Sequence, residues 1–454
     1  MKLLAYIEQY SFLSNDTINL YISGNKDNCN INIISFFNKD KVYSGVCDIS
    51  LQNIPELGYA EGFDWNISKK INITEMTTNK PDLYIIECSQ KNKDNINNTF
   101  YIPFIILNNK EPNDILVILN TNTWQAYEQS GGASYYNFTE ECKNKKNKYI
   151  RNSNGLNSYR EGSLNVTAVV SYNRPLTTVS TEIGYLIDDH YKPSPGSGTH
   201  HFFGEKYLWL WLLKNNFKFD MITDSDVENM EYMKNRKIIM LNCHPEYWSH
   251  EMYFNLLKSV EIYKTNIIYL GGNAIWRKVY INKDKNRMEK MGCPILNRNN
   301  VLNNYKNPYS IDTFAAHHKI NIEPFVILGM YYYWGFGSPD YENFYCINND
   351  SWVFKNTIIK NGDVIGLNYD TYKPSGNETD IVNHPWLTEA LRIKYFKNTK
   401  ILGKANNIKN GGEIILHEYK KSKIFSVGAI PATRCIDDPE FTIMLKNVIT
   451  KFIL

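Results

Sequence analysis

Over the first hundred residues, apolar and polar positions alternate in short runs. Thr17-Ile18-Asn19-Leu20-Tyr21-Ile22-Ser23, Lys70-Ile71-Asn72-Ile73 and Asp82-Leu83-Tyr84-Ile85-Ile86 are typical. Turn formers such as Ser23-Gly24-Asn25 and Asn79-Lys80-Pro81-Asp82 separate them. Period-two runs of this length predict half-buried strands, and their spacing predicts a β-sandwich over residues 1–107. Asn108 to Pro112 reads as a linker. Beyond it the pattern changes: Ile115 to Leu119, Lys237 to Leu241 and Asn266 to Leu270 are continuous apolar runs, as in strands covered on both faces. Between the last two, Met252, Leu256, Val260 and Tyr263 recur at helical spacing. Tyr207 to Leu213 predicts a packed helix and Phe217 to Ile222 a short strand. Glu413 to Leu416 and Ile424 to Val427 predict further strands, and Asp438-Pro439 opens a closing amphipathic helix. Strand and helix in alternation predict a parallel sheet with crossovers, so residues 112–454 form a larger α/β domain. Residues 140–162 read as a surface excursion and 281–350 as an insertion or lid over the sheet.

Composition narrows the class. The 454 residues are 43% hydrophobic, enough for a sizeable core. Fifty basic against 47 acidic residues argue against a dedicated nucleic-acid binder. No apolar run is long enough to span a bilayer, and Glu8 interrupts the first apolar stretch before a signal core forms. A cytoplasmic protein with no membrane partner is therefore expected. Eight cysteines are scattered singly, without a C-x-x-C pair, and read as buried thiols.

Candidate chemistry collects where three predicted strands end, the edge at which open parallel sheets bind ligands. The first strand runs into Asn122-Thr123-Trp124-Gln125-Ala126-Tyr127, the second into Asn242-Cys243-His244-Pro245-Glu246, the third into Gly271-Gly272-Asn273. Glu246 reads either as metal ligand or general base, with His244 as acid/base, or as the cap of the next helix with His244 in a local hydrogen bond. Cys243 invites a nucleophile, but no glycine stands within two residues to form an elbow, so it reads as structural. The Gly131-Gly132 pair allows the chain to fold back and return Tyr136 toward Tyr127. Two phenols and a carboxylate suit a hard trivalent cation; the bland alternative is that the tyrosines pack. The pairs His200-His201 and His317-His318 cannot both face one point, Asp224 and Asp226 suit a helix start, and Pro195-Gly196-Ser197-Gly198 lacks the spacing of a phosphate cradle.

Asn-Thr-Trp-Gln-Ala-Tyr at 122–127, Gly-Gly-Ala-Ser-Tyr-Tyr at 131–136, Ser-Tyr-Asn-Arg-Pro at 171–175, His-Pro-Glu-Tyr-Trp-Ser at 244–249 and Gly-Gly-Asn at 271–273 occur in this order. The set resembles the N,N-dimethylformamidase large (β) subunit-like family over about residues 112–454. The resemblance implies an immunoglobulin-like (Ig-like) N-terminal sandwich and a class I glutamine-amidotransferase-like, flavodoxin-like sheet. It implies hydrolysis of a small linear amide at a mononuclear iron (Fe3+) held by two tyrosines and a glutamate. Carried over, these are Tyr127, Tyr136 (or its neighbour Tyr135) and Glu246. His244 would protonate the departing amine and Asn273 would face the oxyanion. It also implies a homo-oligomer and a small partner subunit. The chain departs from the family in lacking the His- and Gly-rich stretch after the second tyrosine, and no lectin-like sandwich is visible. A carbohydrate- or small-ligand-binding protein using the same aromatic cleft is the alternative.

Overall fold

The computed structural model describes residues 2–25, 27–91, 97–136, 150–151, 166–167, 169–187, 200–290, 324–334, 341–366, 373–376, 378–383, 389–407 and 411–454. The surface excursion, apart from Ile150 and Arg151, lies outside these residues, as do His317-His318, Pro195 to Gly198 and much of the expected lid. No described helix is long and apolar enough to cross a membrane. The chain is mixed α/β with several sheets. It divides into two compact units that interleave along the sequence: residues 1–110, 121–191 and 278–312 in one, and 111–120, 192–277 and 313–454 in the other.

In the first unit, the alternating runs become strands as expected. Leu4–Ile7, Thr17–Ser23 and Lys69–Asn72 form one antiparallel sheet. The second has the order Ser11–Phe12, Asn97–Ile106, Asp82–Lys91, Asp27–Ser35, Lys41–Ile49. Alternation buries one face, and Tyr6, Tyr21, Phe63 and Trp65 form an aromatic cluster with the first two rings stacked at 4.6 Å. The helix Thr177–Ile187, which apolar spacing did not signal, packs on the strand Asn97–Ile106, where the Tyr101 N–H donates to Ser180 Oγ at 2.9 Å.

The second unit is built on a nine-stranded sheet. Its first five strands run parallel in the order Phe219–Thr223, Ile115–Leu119, Ile238–Cys243, Asn266–Gly271, Ser422–Gly428. Numbered by their place in the chain, that is 2-1-3-4-5, the doubly wound order whose switch point lies between strands 1 and 3. Strands Glu413–Tyr419, Thr399–Ala405, Phe344–Cys346 and Val364–Ile365 extend the sheet antiparallel, so it is mixed and not purely parallel. Phe344–Cys346 falls in the segment expected to be an insertion, and it is instead a strand of the main sheet. Every residue of Ile115–Leu119 and Ile238–Cys243 is buried, each large aliphatic side chain contributing roughly 1.5–3 kcal/mol. The predicted helix after strand 3 spans His250–Glu261 and buries Met252, Leu256 and Val260. The closing helix Pro439–Ile453 begins as read: Asp438 accepts from the Phe441 N–H at 2.8 Å, and Pro439 occupies its first turn. Asp226 likewise serves a helix start, in a reciprocal capping box with Thr223.

Candidate functional site

At the switch point, strands 1 and 3 end in asparagines that knit the edge together. Asn120 Nδ2 donates to the Asn242 carbonyl at 2.7 Å, and Asn242 Nδ2 donates to the Glu205 carbonyl at 2.8 Å. Strand 3 then turns sharply at Cys243, whose φ of 62° is left-handed, and presents His244 in the interior. Cys243 thus takes for itself the conformation that flanking glycines would have supplied, and its carbonyl accepts the Gly272 N–H at 3.0 Å. After Pro245 the chain enters a three-residue strand, Tyr247–Ser249, before any helix begins. Ser249 caps that helix, accepting from the Met252 N–H at 3.2 Å, so Glu246 is not a helix cap.

Glu246 instead meets His244. Its Oε2 lies 2.9 Å from His244 Nε2, and its Oε1 lies 3.5 Å from Arg277 Nε. His244 Nδ1 sits 3.0 Å from the Gly272 carbonyl, an acceptor only, so that nitrogen carries hydrogen and Nε2 faces the acids. A second carboxylate, Glu378 Oε2, is 3.6 Å from the same Nε2. Asn273, held at φ 55°, donates from Nδ2 to Glu378 Oε2 at 2.8 Å and from its backbone N–H to Asp380 Oδ1 at 3.0 Å. Tyr269 donates to Asp380 Oδ2 at 2.6 Å. Asn273 Oδ1 is buried without a donor. Gly272 is required here because a Cβ would lie 2.2 Å from the Glu378 carbonyl oxygen.

Burial and charge set the proton inventory. Burial opposes charge on His244, but Glu378 and Glu246 outweigh it and push its pKa up to about 9. Burial raises Glu378 to about 7, with His244 pulling down and Glu246 pushing up. Burial also raises Asp380 to about 6, against hydrogen bonds from Tyr269 and the Asn273 backbone. His200 meets the His244 ring edge-on, centroids 5.0 Å apart, and burial with the neighbouring positive charge of His244 holds it well below the usual imidazole range. Beside Asp380, Ala274, Trp276, Phe325, Tyr331 and Tyr332 line a cavity of about 20 Å³.

The tyrosines belong to the other unit. Tyr127 ends the helix Thr121–Tyr127, and the Gly131-Gly132 turn returns Tyr136 onto it, rings stacked at 4.4 Å and 30°. Gly131 has φ 81° and approaches the Tyr59 backbone so closely that a Cβ would lie 2.5 Å from its nitrogen. Arg174 clamps the turn. It donates to Gln125 Oε1 at 3.3 Å, to the Gln125 carbonyl at 2.6 Å, and to the Ser130 and Ala133 carbonyls at 3.1 and 2.9 Å. Glu128 accepts from the Gln129 and Ser130 N–H groups at 2.9 and 2.8 Å and caps the helix Thr177–Ile187 through Thr178 at 3.0 Å. Tyr135 donates its hydroxyl to the Met288 carbonyl at 2.9 Å, which favours Tyr136 over Tyr135 as the partner of Tyr127.

Of the residues expected from sequence, Tyr127 and Tyr136 come together in one unit, and His244, Glu246 and Asn273 come together in the other. Reading the sequence missed Glu378, Asp380, His200 and the role of Arg174. The available signal was the alternation Glu378-Thr379-Asp380, two carboxylates two residues apart at the start of the strand Thr379–Ile381. Of the donors that the resemblance implies for an iron, the two phenols belong to one unit and Glu246, paired with His244 and Arg277, to the other.

Fifteen solved chains share some likeness. One described as ThuA-like, from Bacteroides uniformis, is 12% identical at a TM-score of 0.31, covering 55% of this chain and 81% of that one. Another, from Thermoplasma acidophilum and described as part of a GMP synthase, is 8% identical at 0.27, covering 57% and 94%. At TM-scores this low neither carries weight for fold or function. No curated protein matches the sequence. The family model described as N,N-dimethylformamidase beta subunit-like, C-terminal, matches residues 41–439, starting well before the expected residue 112. With most of its length matched, the chain belongs to the N,N-dimethylformamidase beta subunit-like, C-terminal family.

Proposed function

We propose that this protein hydrolyses the C–N bond of a small linear amide. The observation that carries the reading is His244 Nε2, buried between Glu246 at 2.9 Å and Glu378 at 3.6 Å. A proton-transfer group works best with a pKa near the operating pH, and Glu378, raised to about 7, meets that condition. Ionised Glu378 accepts a proton from water and, once protonated, returns it to the departing amine. His244, tethered through Nδ1 to Gly272, stays protonated and fixes both carboxylates while Glu378 changes charge. Asn273 Nδ2 uses one hydrogen on Glu378 and keeps the second for the developing oxyanion. Burial of the whole group excludes bulk water and strengthens each of these interactions.

A mononuclear iron, with Tyr127, Tyr136 and Glu246 as the donors that the family resemblance implies, belongs to this reading. When bound, the iron would supply Lewis acidity toward the amide carbonyl, which resonance otherwise deactivates. The same proposal includes the immunoglobulin-like sandwich, the glutamine-amidotransferase-like sheet, a homo-oligomer and a small partner subunit. The second reading is a protein that binds small ligands in this aromatic region without turning them over, although the cavity of about 20 Å³ beside Asp380 holds no more than about one water as it stands.

The test is release of amine or ammonia from a panel of formamides and acetamides, paired with metal analysis and a visible spectrum. Turnover with near-stoichiometric iron, and a tyrosinate band lost in Tyr127→Phe, supports the proposal. Iron-free protein that takes up no added iron and turns over no amide sinks it, and binding of the same amides without turnover favours the second reading.

A further inference from the structure

Three cysteines that are far apart in sequence form a row in the first unit. Cys29 lies on the strand Asp27–Ser35, which sits between Lys41–Ile49, carrying Cys47, and Asp82–Lys91, carrying Cys88. Cys29 is directly opposite Cys47. On the other side Ile31 pairs with Cys88, two positions along, so all three side chains share the core face of the sheet. Cys29 and Cys88 are buried, whereas Cys47, on the strand at the sheet's edge, is half-buried. Opposed residues of antiparallel strands have Cα atoms roughly 4.5–5.5 Å apart, inside the range a disulfide spans. Cys88 lies diagonal to Cys29 on that face, opposite Ile31 and not opposite Cys29 itself.

The geometry points to a peroxide-responsive thiol pair in which Cys47 is the entry and Cys29 the resolving residue. The Cys47 thiolate attacks hydrogen peroxide, an S–O bond forming as the O–O bond breaks and hydroxide leaves. The Cys29 thiolate then attacks that sulfur, forming the S–S bond and expelling a second hydroxide. Two thiols and one peroxide thus become a disulfide and two waters, sulfur losing the two electrons that oxygen gains. Burial raises Cys47 to about 11, which makes its first step slow near neutrality.

The test uses the full-length native protein treated with hydrogen peroxide, alkylated under denaturing conditions and mapped by peptide mass spectrometry. A Cys29–Cys47 peptide is expected, with formation accelerating about tenfold per pH unit between about pH 7 and 9, as the thiolate fraction of Cys47 grows. Cys47→Ser, at the half-exposed edge, should cut the yield at least tenfold and keeps the test independent of whether Cys29→Ser folds. Disulfides other than Cys29–Cys47, full alkylation of all thiols after treatment, or an undiminished yield in Cys47→Ser would each overturn the pairing.

Discussion

Replacing Glu378 by Gln keeps the size of the side chain and an acceptor for Asn273 but removes one charge facing His244. The interaction at 3.6 Å can be bounded by Coulomb's law. It is worth about 1 kcal/mol with a water-like dielectric and about 4–5 kcal/mol at an effective value near 20. One pKa unit corresponds to about 1.4 kcal/mol, so the two limits are about 1 and 3 units. The imidazole, raised to about 9 in the native protein, should therefore titrate between roughly 6 and 8 in Glu378→Gln. Glu246 remains at 2.9 Å and keeps the value from falling to that of a buried, unpaired histidine. The assay is nitrogen-15 NMR of imidazole-labelled protein across pH, which resolves both titration and tautomer for the nine histidines. The Nδ1–H of His244 should persist in both proteins because Gly272 still accepts from it. A His244 pKa that moves by less than about half a unit would refute the reasoning: Glu378 would then already carry its proton, or not face the ring.

Further outcomes follow from the same geometry. Amide hydrolysis should rise as Glu378 ionises through about 7 and decline as His244 loses its proton near 9, giving a bell whose acid limb disappears in Glu378→Gln along with roughly a hundredfold or more of the rate. Gly272→Ala places a Cβ 2.2 Å from the Glu378 carbonyl oxygen, so stability by urea denaturation should fall by about 1–3 kcal/mol and His244 should titrate abnormally. Arg174→Gln strands backbone carbonyls of Gln125, Ser130 and Ala133 and should cost more than about 3 kcal/mol, while the Tyr127–Tyr136 stacking seen in near-ultraviolet circular dichroism weakens.

The central strands were legible because strands covered on both faces must be apolar throughout, as Ile115 to Leu119 and Ile238 to Leu241 are. Helix starts at Ser249 and Asp438 were legible or nearly so because capping is local chemistry. The helix Thr121–Tyr127 was hidden because its buried residues include Thr121, Asn122, Thr123 and Gln125, polar side chains that show no apolar period. Glu378 and Asp380 were hidden for another reason. Asp380 belongs to the three-residue strand Thr379–Ile381 and Glu378 just precedes it; the strand is too short for periodicity, and its antiparallel pairing with Tyr331–Trp334 fixes its direction. His200-His201 was discounted because two neighbours cannot face one point, yet only His200 needed to meet His244. The row of thiols depends on strand register, which spacing in the sequence does not encode.

The interleaving of the two units has a consequence for synthesis. Strand 1 of the parallel sheet, Ile115–Leu119, leaves the ribosome about a hundred residues before its first neighbour, Phe219–Thr223. In the interval the chain makes residues 121–191, which pack into the other unit. A fully apolar strand must therefore wait, unpaired, while its own continuation folds elsewhere, and parallel pairing adds the closure of a long loop. The nascent protein would depend on chaperones that shield strand 1 during this wait. For the same reason no single cut in the chain separates the units, so they can be inherited, exchanged or expressed only together.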